Sequence, residues 1–374
     1  MNMAAKTVVV AGHVCMDITL PLGGEKVTDI GKILLPGKLF SVGKASVNIG
    51  GAVANTGLAM KLFGVEVRLV GKVGNDPFGD MISSGFARHE ADKWLIHCGD
   101  ASSYTIALAI PGIDRILLNH PGANDSFSAD DISEELLEGV TLFHFGYPPL
   151  MRMMYESDGD ELVRLLMKLK HSGIATSMDI SMVDPSSEAG RANWQLILEK
   201  SLPYVDIFTP SIEELCYMLD RKKLQALRNR AKGHDLCEFI DLDADIRPLA
   251  ERCLNMGSKL VLVKCGAKGL YYRAAYAKTF LPLAEQLDVD VGMWASSEYF
   301  EPSFVPDQIL SGTGAGDTSI AAFLAALLKG CPPRTCTRYA AATGACCVSA
   351  YDAFSGLKAF DELDAKIYGG WEKI

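Results

Sequence analysis

Apolar positions along the chain follow two rhythms, one before Ser128 and one after it. Thr7–Gly12 is a short apolar strand ending in glycine. From Val14 to Val47 the chain is rich in Gly, Pro and β-branched residues with no helical period, which predicts short strands and turns. Gly50-Gly51 opens a helical stretch to Phe63, with Ala54, Leu58 and Leu62 on one face and Gly64 as its stop. Val65–Val70 reads as a strand, followed by Gly71-Lys72-Val73-Gly74-Asn75-Asp76. Tyr104–Ile110 and Ile116–Asn119 flank Pro111-Gly112-Ile113-Asp114-Arg115, which predicts a hairpin.

After Ser128 strands and helices alternate. Ser128-Ala129-Asp130-Asp131 has the form of a capping box, and a helix is expected to run to Glu138. Strand Thr141–Phe145, helix Asp160–His171, strand Ala175–Ile180, helix Trp194–Leu202 and strand Val205–Thr209 follow. Helices Ile212–Leu219 and Ile246–Met256 and strand Leu260–Lys264 continue the series. This alternation predicts a parallel sheet covered on both faces, with ligands beyond the carboxyl ends of its strands. Arg221–Asp241 is a charged run, read as a solvated insertion. Lys278–Pro306, with Trp294, Tyr299, Phe300 and Phe304, reads as strands plus a surface loop.

At 374 residues the chain can bury a large core, in one big domain or two. Its formal charge of −10 argues against nucleic acid and against an anionic membrane surface as partners, but leaves a small phosphate ligand open. The N-terminus enters a strand with no leader pattern. The apolar runs near Ile320–Leu328 and Ala340–Ala350 are too short to span a bilayer. The ten cysteines include no Cys-x-x-Cys, so reduced, mostly buried thiols are expected, in a cytoplasmic protein without zinc.

The chemistry centres on Ser311-Gly312-Thr313-Gly314-Ala315-Gly316-Asp317-Thr318, which leads into the apolar run Ile320–Leu328. A bare glycine loop opening a buried helix leaves the first helical amides pointing outward at the positive end of the dipole, an anion site. Asp317 at the mouth would repel phosphate, which is explained if it takes a proton from an attacking hydroxyl. The plain alternative is a turn with a helix cap. The Walker A spacing is absent, and the first strand lacks the dinucleotide fingerprint. Four further features stand out: Gly12-x-x-x-x-Asp17, Gly50-Gly51-Ala52-Val53-Ala54-Asn55, Gly71–Asp76, and Thr209-Pro210-Ser211-Ile212-Glu213-Glu214. Taken singly, Asp17 could cap a turn, Asn55 could be a core amide, and Glu214 a first-turn helix carboxylate.

In this order the motifs resemble those of the ribokinase-like (PfkB) family of carbohydrate and nucleoside kinases, from Thr7 to about Ser349. Thr313-Gly314-Ala315-Gly316-Asp317-Thr318 is similar to its C-terminal signature. Asn48–Gly79, with Gly50-Gly51, Asn55 and Gly71-x-Val73-Gly74-x-Asp76-x-x-Gly79, is similar to its N-terminal one. The resemblance implies a single α/β domain over residues 1–374. It would be a three-layer sandwich with a mostly parallel central sheet and a small β-sheet lid from about 14–47 and 100–120. It implies ATP-dependent phosphoryl transfer to a hydroxymethyl group of a small sugar, with a nucleoside kinase or a non-catalytic sugar sensor as alternatives. Asp317 would be the base, and Gly314, Ala315 and Gly316 the anion hole. Asp17, Gly51 and Asn55 would bind the acceptor. Lys264, Gly266, Gly269, Thr313 and Gly316 would line the nucleotide site, with the helix around Ala341–Cys347, and Glu214 would organise hydrated Mg2+. A homodimer through the lid is expected. The sequence departs from the family at Ser311, where a carboxylate usually helps to hold K+, and at Ser211, where Asn is usual. Weak K+ dependence is the expectation. A sugar phosphate acceptor would need a further cation near the lid, for which Arg115 is the candidate.

Overall fold

An unbroken apolar run makes a strand that can be buried on both faces, and all six residues of Thr7–Gly12 are buried. The computed structural model describes residues 6–23, 29–32, 34–111 and 116–374. Its strands in chain order are Thr7–Gly12 (β1), Cys15–Pro21 (β2), Ser46–Gly50 (β3), Glu66–Val70 (β4), Lys72–Gly74 (β5), Ile96–Cys98 (β6) and Tyr104–Ala109 (β7). Ile116–His120 (β8), Val140–Gly146 (β9), Ala175–Asp179 (β10), Ile207–Phe208 (β11), Leu260–Lys264 (β12), Gly269–Ala274 (β13) and Glu298–Pro302 (β14) complete them.

Eight strands form the main sheet in the order β14-β13-β12-β11-β10-β9-β1-β4. Pairing is parallel from β4 to β12, and β13 and β14 add an antiparallel edge. Alternate residues of β1 face opposite layers, as the period of two requires. Val8 and Val10 join the core that includes Val53, Leu58, Ile320 and Phe323. Val9 and Ala11 join the core that includes Leu162, Leu165, Ile197 and Leu215. Helices therefore cover both faces, in three layers. From β1 the chain crosses to β4 on one side and later to β9 on the other, so a crevice opens beyond the carboxyl ends of β1 and β9.

A separate four-stranded sheet has the order β3-β2-β7-β8. Its register sets Asn48 beside Asp17, Asp17 beside Thr105, and Thr105 beside Asn119. Residues paired in this way share a face, so a polar row crosses all four strands. Ile18, Ile49 and Tyr104, at the alternate positions, pack against the core instead. Strands β7 and β8 pair antiparallel as the hairpin reading requires, whereas its turn at 112–115, Arg115 included, lies outside the described residues.

Three readings of the sequence need correction. The helix expected to run to Glu138 is two short pieces, Ala129–Asp131 and Glu134–Leu137, because Ser133 caps a second helix by accepting from Leu136 N. The supposed solvated insertion contains helix Arg221–Ala231, which buries Leu224, Leu227 and Ala231. The stretch read as strands and loop holds helix Ala277–Leu287, a short helix Val291–Trp294 and strand β14, with Trp294 and Phe304 buried. Among the described residues, no helix is long and apolar enough to cross a membrane.

Candidate active site

Helix Ala315–Leu328 is buried from Asp317 onward, so its start is fixed in depth. Gly314 caps it at φ 76°, and a Cβ there would meet that of Ala353 at 2.5 Å. Backbone conformation and space both demand glycine at this position. The amide of Thr318 donates to Gly314 O at 2.9 Å, so the amides of Gly316 and Asp317 precede the first regular helical bond. Ala315 N reaches back to Gly312 O at 3.4 Å. Gly314, Ala315, Gly316 and Asp317 together line one wall of a cavity of about 640 Å³.

Asp317 is 3% exposed. Its Oδ2 accepts from Asn55 Nδ2 at 2.9 Å, and its Oδ1 accepts from the Tyr147 hydroxyl at 2.6 Å. Burial pushes its pKa above the ordinary carboxylate value, while the Tyr147 bond, the Lys264 charge and the Asn55 bond pull it back. Two donors on two oxygens suit an ionised carboxylate that is aimed rather than free to rotate.

Lys264 ends β12, and its stem lies against the loop: a Cβ on Gly316 would stand 3.3 Å from Lys264 Cδ. Its Nζ donates to both oxygens of buried Asp179, at 2.6 and 2.8 Å. Burial alone would drive the amine toward neutrality. Asp179 and then Glu214 reverse this, and the lysine pKa is raised. A half-buried cation is thus fixed beside the glycine loop.

Glu214 lines the same cavity and completes a capping box: its Oε2 accepts from Ser211 N at 2.6 Å, and Glu214 N donates to Ser211 Oγ at 3.2 Å. Gly266 and Gly269 line the cavity too, with Ala341, Gly344 and Ala345 of helix Pro333–Cys347. Thr313 is not among the lining residues; its amide donates to Ser311 Oγ at 3.2 Å within the loop, and its carbonyl accepts at 3.6 Å from Sγ of Cys347, at the end of helix Pro333–Cys347.

Gly51, at φ 86°, begins helix Ala52–Leu62 where a Cβ would meet His13 O at 2.6 Å. This close approach brings Asn55, one turn later, under Asp317. Asp17 projects from β2 against Gly50, where a Cβ would meet its Oδ2 at 2.0 Å, and accepts from Cys15 Sγ at 3.2 Å. The second glycine motif plays a structural part instead. Asp76 caps helix Pro77–Ala87 by accepting from Gly79 N, and a Cβ on Gly79 would collide with Gly74 O at 1.9 Å.

Sequence reasoning missed Tyr147 and Asp179. Both sit at carboxyl ends of neighbouring parallel strands, Tyr147 just after β9 and Asp179 at the end of β10. The rule that ligands bind there was the available signal.

A buried carboxylate thus stands at the start of a helix opened by a glycine loop, in the switch crevice of a three-layer α/β fold. The chain matches the pfkB family of carbohydrate kinases over residues 5–359 and belongs to that family. It is therefore a carbohydrate kinase, a phosphotransferase with an alcohol acceptor. An uncharacterized sugar kinase of Archaeoglobus fulgidus is 24% identical over 301 residues, 80% of this chain and 98% of that one. A 5-dehydro-2-deoxygluconokinase of Clostridium perfringens is 22% identical over 356 residues, covering 91% and 90%. Among solved structures, the fructokinase of Xylella fastidiosa with bound ATP has a TM-score of 0.69 at 18% identity, covering 98% of this chain and 99% of that one. The ribokinase of Arabidopsis thaliana complexed with ribose and ATP has a TM-score of 0.68 at 18% identity, covering 97% and 98%. At these identities the structural likeness speaks for the fold.

Proposed function

We propose that the chain transfers the γ-phosphoryl group of ATP to a hydroxymethyl group of a small sugar or sugar derivative, with Asp317 as general base. The observation that carries this reading is the placing of a buried, doubly held carboxylate at the start of the helix whose loop supplies the anion site. The acceptor oxygen attacks the γ-phosphorus, Asp317 takes its proton, and the bond to the β–γ bridging oxygen breaks to release ADP. The amides of Gly314, Ala315 and Gly316 meet the charge on the transferring group.

The nucleotide would lie along Lys264, Gly266 and Gly269, with Thr313 fixing the loop behind Gly316. Support comes from the shared cavity and from the ATP carried by the Xylella and Arabidopsis proteins. Mg2+ fits as a hydrated ion: Glu214 offers a buried hard-oxygen ligand on the cavity wall, and phosphates would supply others. When bound it would neutralise phosphate charge. The acceptor would lie between Asp17, Gly51 and Asn55, and the polar row of the small sheet would close over it as a lid within a single kinase domain. The lid's outer strands β3 and β8 carry exposed Val47, Leu117 and Leu118, which favours pairing of two lids in a homodimer. Light scattering showing a monomer at working concentration would end that part of the reading.

The test is ADP release from Mg-ATP across a panel of sugars, sugar acids and nucleosides. Turnover that rises and saturates with a sugar supports the proposal. Saturation by a nucleoside alone would shift the acceptor class, and binding of a sugar without turnover would leave a sensor.

A further inference from the structure

Tyr147 occupies an unusual position. Its backbone is left-handed, at φ 67° and ψ 45°, immediately before Pro148. A bulky residue rarely adopts this conformation, and a following proline disfavours helical backbone further. Strain of this kind persists where the surroundings enforce it, and it gathers at functional sites. Here the enforcing contacts are visible. Tyr147 N donates to Asp179 O at 3.2 Å, and the phenol donates to Asp317 Oδ1 at 2.6 Å. The turn thus carries the side chain away from β9 and across to the start of helix Ala315–Leu328.

We infer that Tyr147 is the positioning residue of the base: its phenol, from the turn after β9, and the Asn55 amide, from helix Ala52–Leu62, clamp the two oxygens of Asp317 and set the direction in which the carboxylate receives the acceptor's proton. The inference rests on Asp317 being the base. Asn55 alone would leave the carboxylate one fixed oxygen and freedom to turn about its Cβ–Cγ bond. The phenol removes that freedom. It also supplies a hydrogen bond to the ionised form, which favours ionisation. Burial drives the phenol's own pKa well above its usual value, so it remains a donor across the working range. Through Asp179 the same turn is tied to Lys264, so the base and the ammonium beside the glycine loop share one rigid support.

The ionisable groups around Asp317 are Tyr147, the carboxyls of Asp179 and Glu214, the Lys264 ammonium, and the thiols of Cys15 and Cys347, and the His13 ring faces that of Tyr147 with centroids 5.9 Å apart. Tyr147→Phe leaves all but the phenol in place. Without that bond the Asp317 pKa rises further. Because the base must be ionised, the acid limb of kcat moves to higher pH. The loss of a hydrogen bond to a charged group predicts a fall in kcat of roughly ten- to hundredfold, with KM for acceptor and Mg-ATP nearly unchanged.

The experiment is the pH profile of kcat and of each KM for the wild type, Tyr147→Phe and Asp317→Asn, with thermal melts of all three. Tyr147→Asn, a side chain tolerant of left-handed backbone but too short to reach Asp317, gives a second variant with the same expected shift. An acid limb that stays in place in both Tyr147 variants overturns the inference, as does a loss confined to acceptor KM, which would make the phenol a substrate contact. Should Asp317→Asn retain wild-type turnover, the base assignment itself falls. Should it be inactive while the Tyr147 profiles are unmoved, only the role of Tyr147 falls.

Discussion

Asn55 and Asp317, 262 positions apart, are joined by a buried hydrogen bond of 2.9 Å between the first turns of two helices. The contact ties the two most distinctive motifs of the chain into one site. It depends on Gly51, whose missing side chain lets the first helix press against the end of β1, and on Gly314, whose left-handed backbone turns the second helix inward.

Replacing Asp317 with Asn keeps the shape of that contact and removes the proposed base. Turnover is expected to fall by roughly 10²–10⁴-fold, the usual worth of general-base catalysis. Binding of acceptor and nucleotide, measured by calorimetry, is expected to change little. Wild-type turnover in this variant would refute the assignment.

Asp17→Ala tests the other end of the proposed acceptor site. A polar group that faces a polyol discriminates because it is left unpaired when the matching hydroxyl is missing. Acceptor affinity should drop by about tenfold or more, the scale of one hydrogen bond to a charged group, while Mg-ATP affinity holds. Equal loss for both ligands would place Asp17 outside the acceptor site.

How far these sites were legible depended on whether their roles are local. The loop Gly312–Asp317 could be read directly, because bare backbone before an apolar run has a local meaning. Helix Asp160–His171 was also plain, its buried Leu162, Leu165, Leu166 and Leu169 following the helical period. Helix Arg221–Ala231 was not, since its buried stripe of Leu224, Leu227 and Ala231 is interleaved with Arg221, Lys222, Lys223, Arg228 and Arg230. Pro282 disguised helix Ala277–Leu287 in the same way. Lys264 and Asp179 meet across 85 positions, and Tyr147 and Asp317 across 170. No local pattern announces such pairs; the order of strands in the sheet creates them.

His13 and His144 make stability depend on pH. Both are fully buried. Both ring nitrogens of His13 lack a protein partner, and in His144 only Nδ1 has one, Ser177 Oγ at 3.0 Å. Burial lowers the pKa of His13 to about 4, and burial together with the Lys264 charge lowers that of His144 to about 3. Below the unfolded value of about 6.5 the unfolded chain therefore binds more protons than the folded one. Stability should be full above pH 6.5 and decline as pH falls toward 4, by roughly 3 kcal/mol for His13 alone. Urea midpoints between pH 7.5 and pH 5 provide the measurement, and His144→Gln should flatten the decline. A midpoint constant over that range would contradict the argument.

Ser311 sets the expectation for potassium. Its Oγ accepts from Thr313 N at 3.2 Å, so the hydroxyl serves the turn that leads into the glycine loop. A neutral hydroxyl is a weaker ligand for a hard cation than a carboxylate. The loop also has a resident positive charge: the Lys264 ammonium is held by Asp179 with its stem against Gly316. A fixed ammonium there can steady the backbone where phosphate charge must be met, and it reduces what a bound monovalent ion could add. Turnover at fixed Mg-ATP should therefore be nearly flat when potassium replaces a large organic cation at constant ionic strength. Steep, saturable activation by potassium would show that Ser311 does not disable the site. The reverse variant, Ser311→Asp, should create such activation if the carboxylate is what the site lacks. Lys264→Met should raise the Mg-ATP concentration required for half-maximal rate in either background. If Ser311→Asp gains no dependence and Lys264→Met leaves that concentration unchanged, the Lys264 ammonium has no part in meeting phosphate charge.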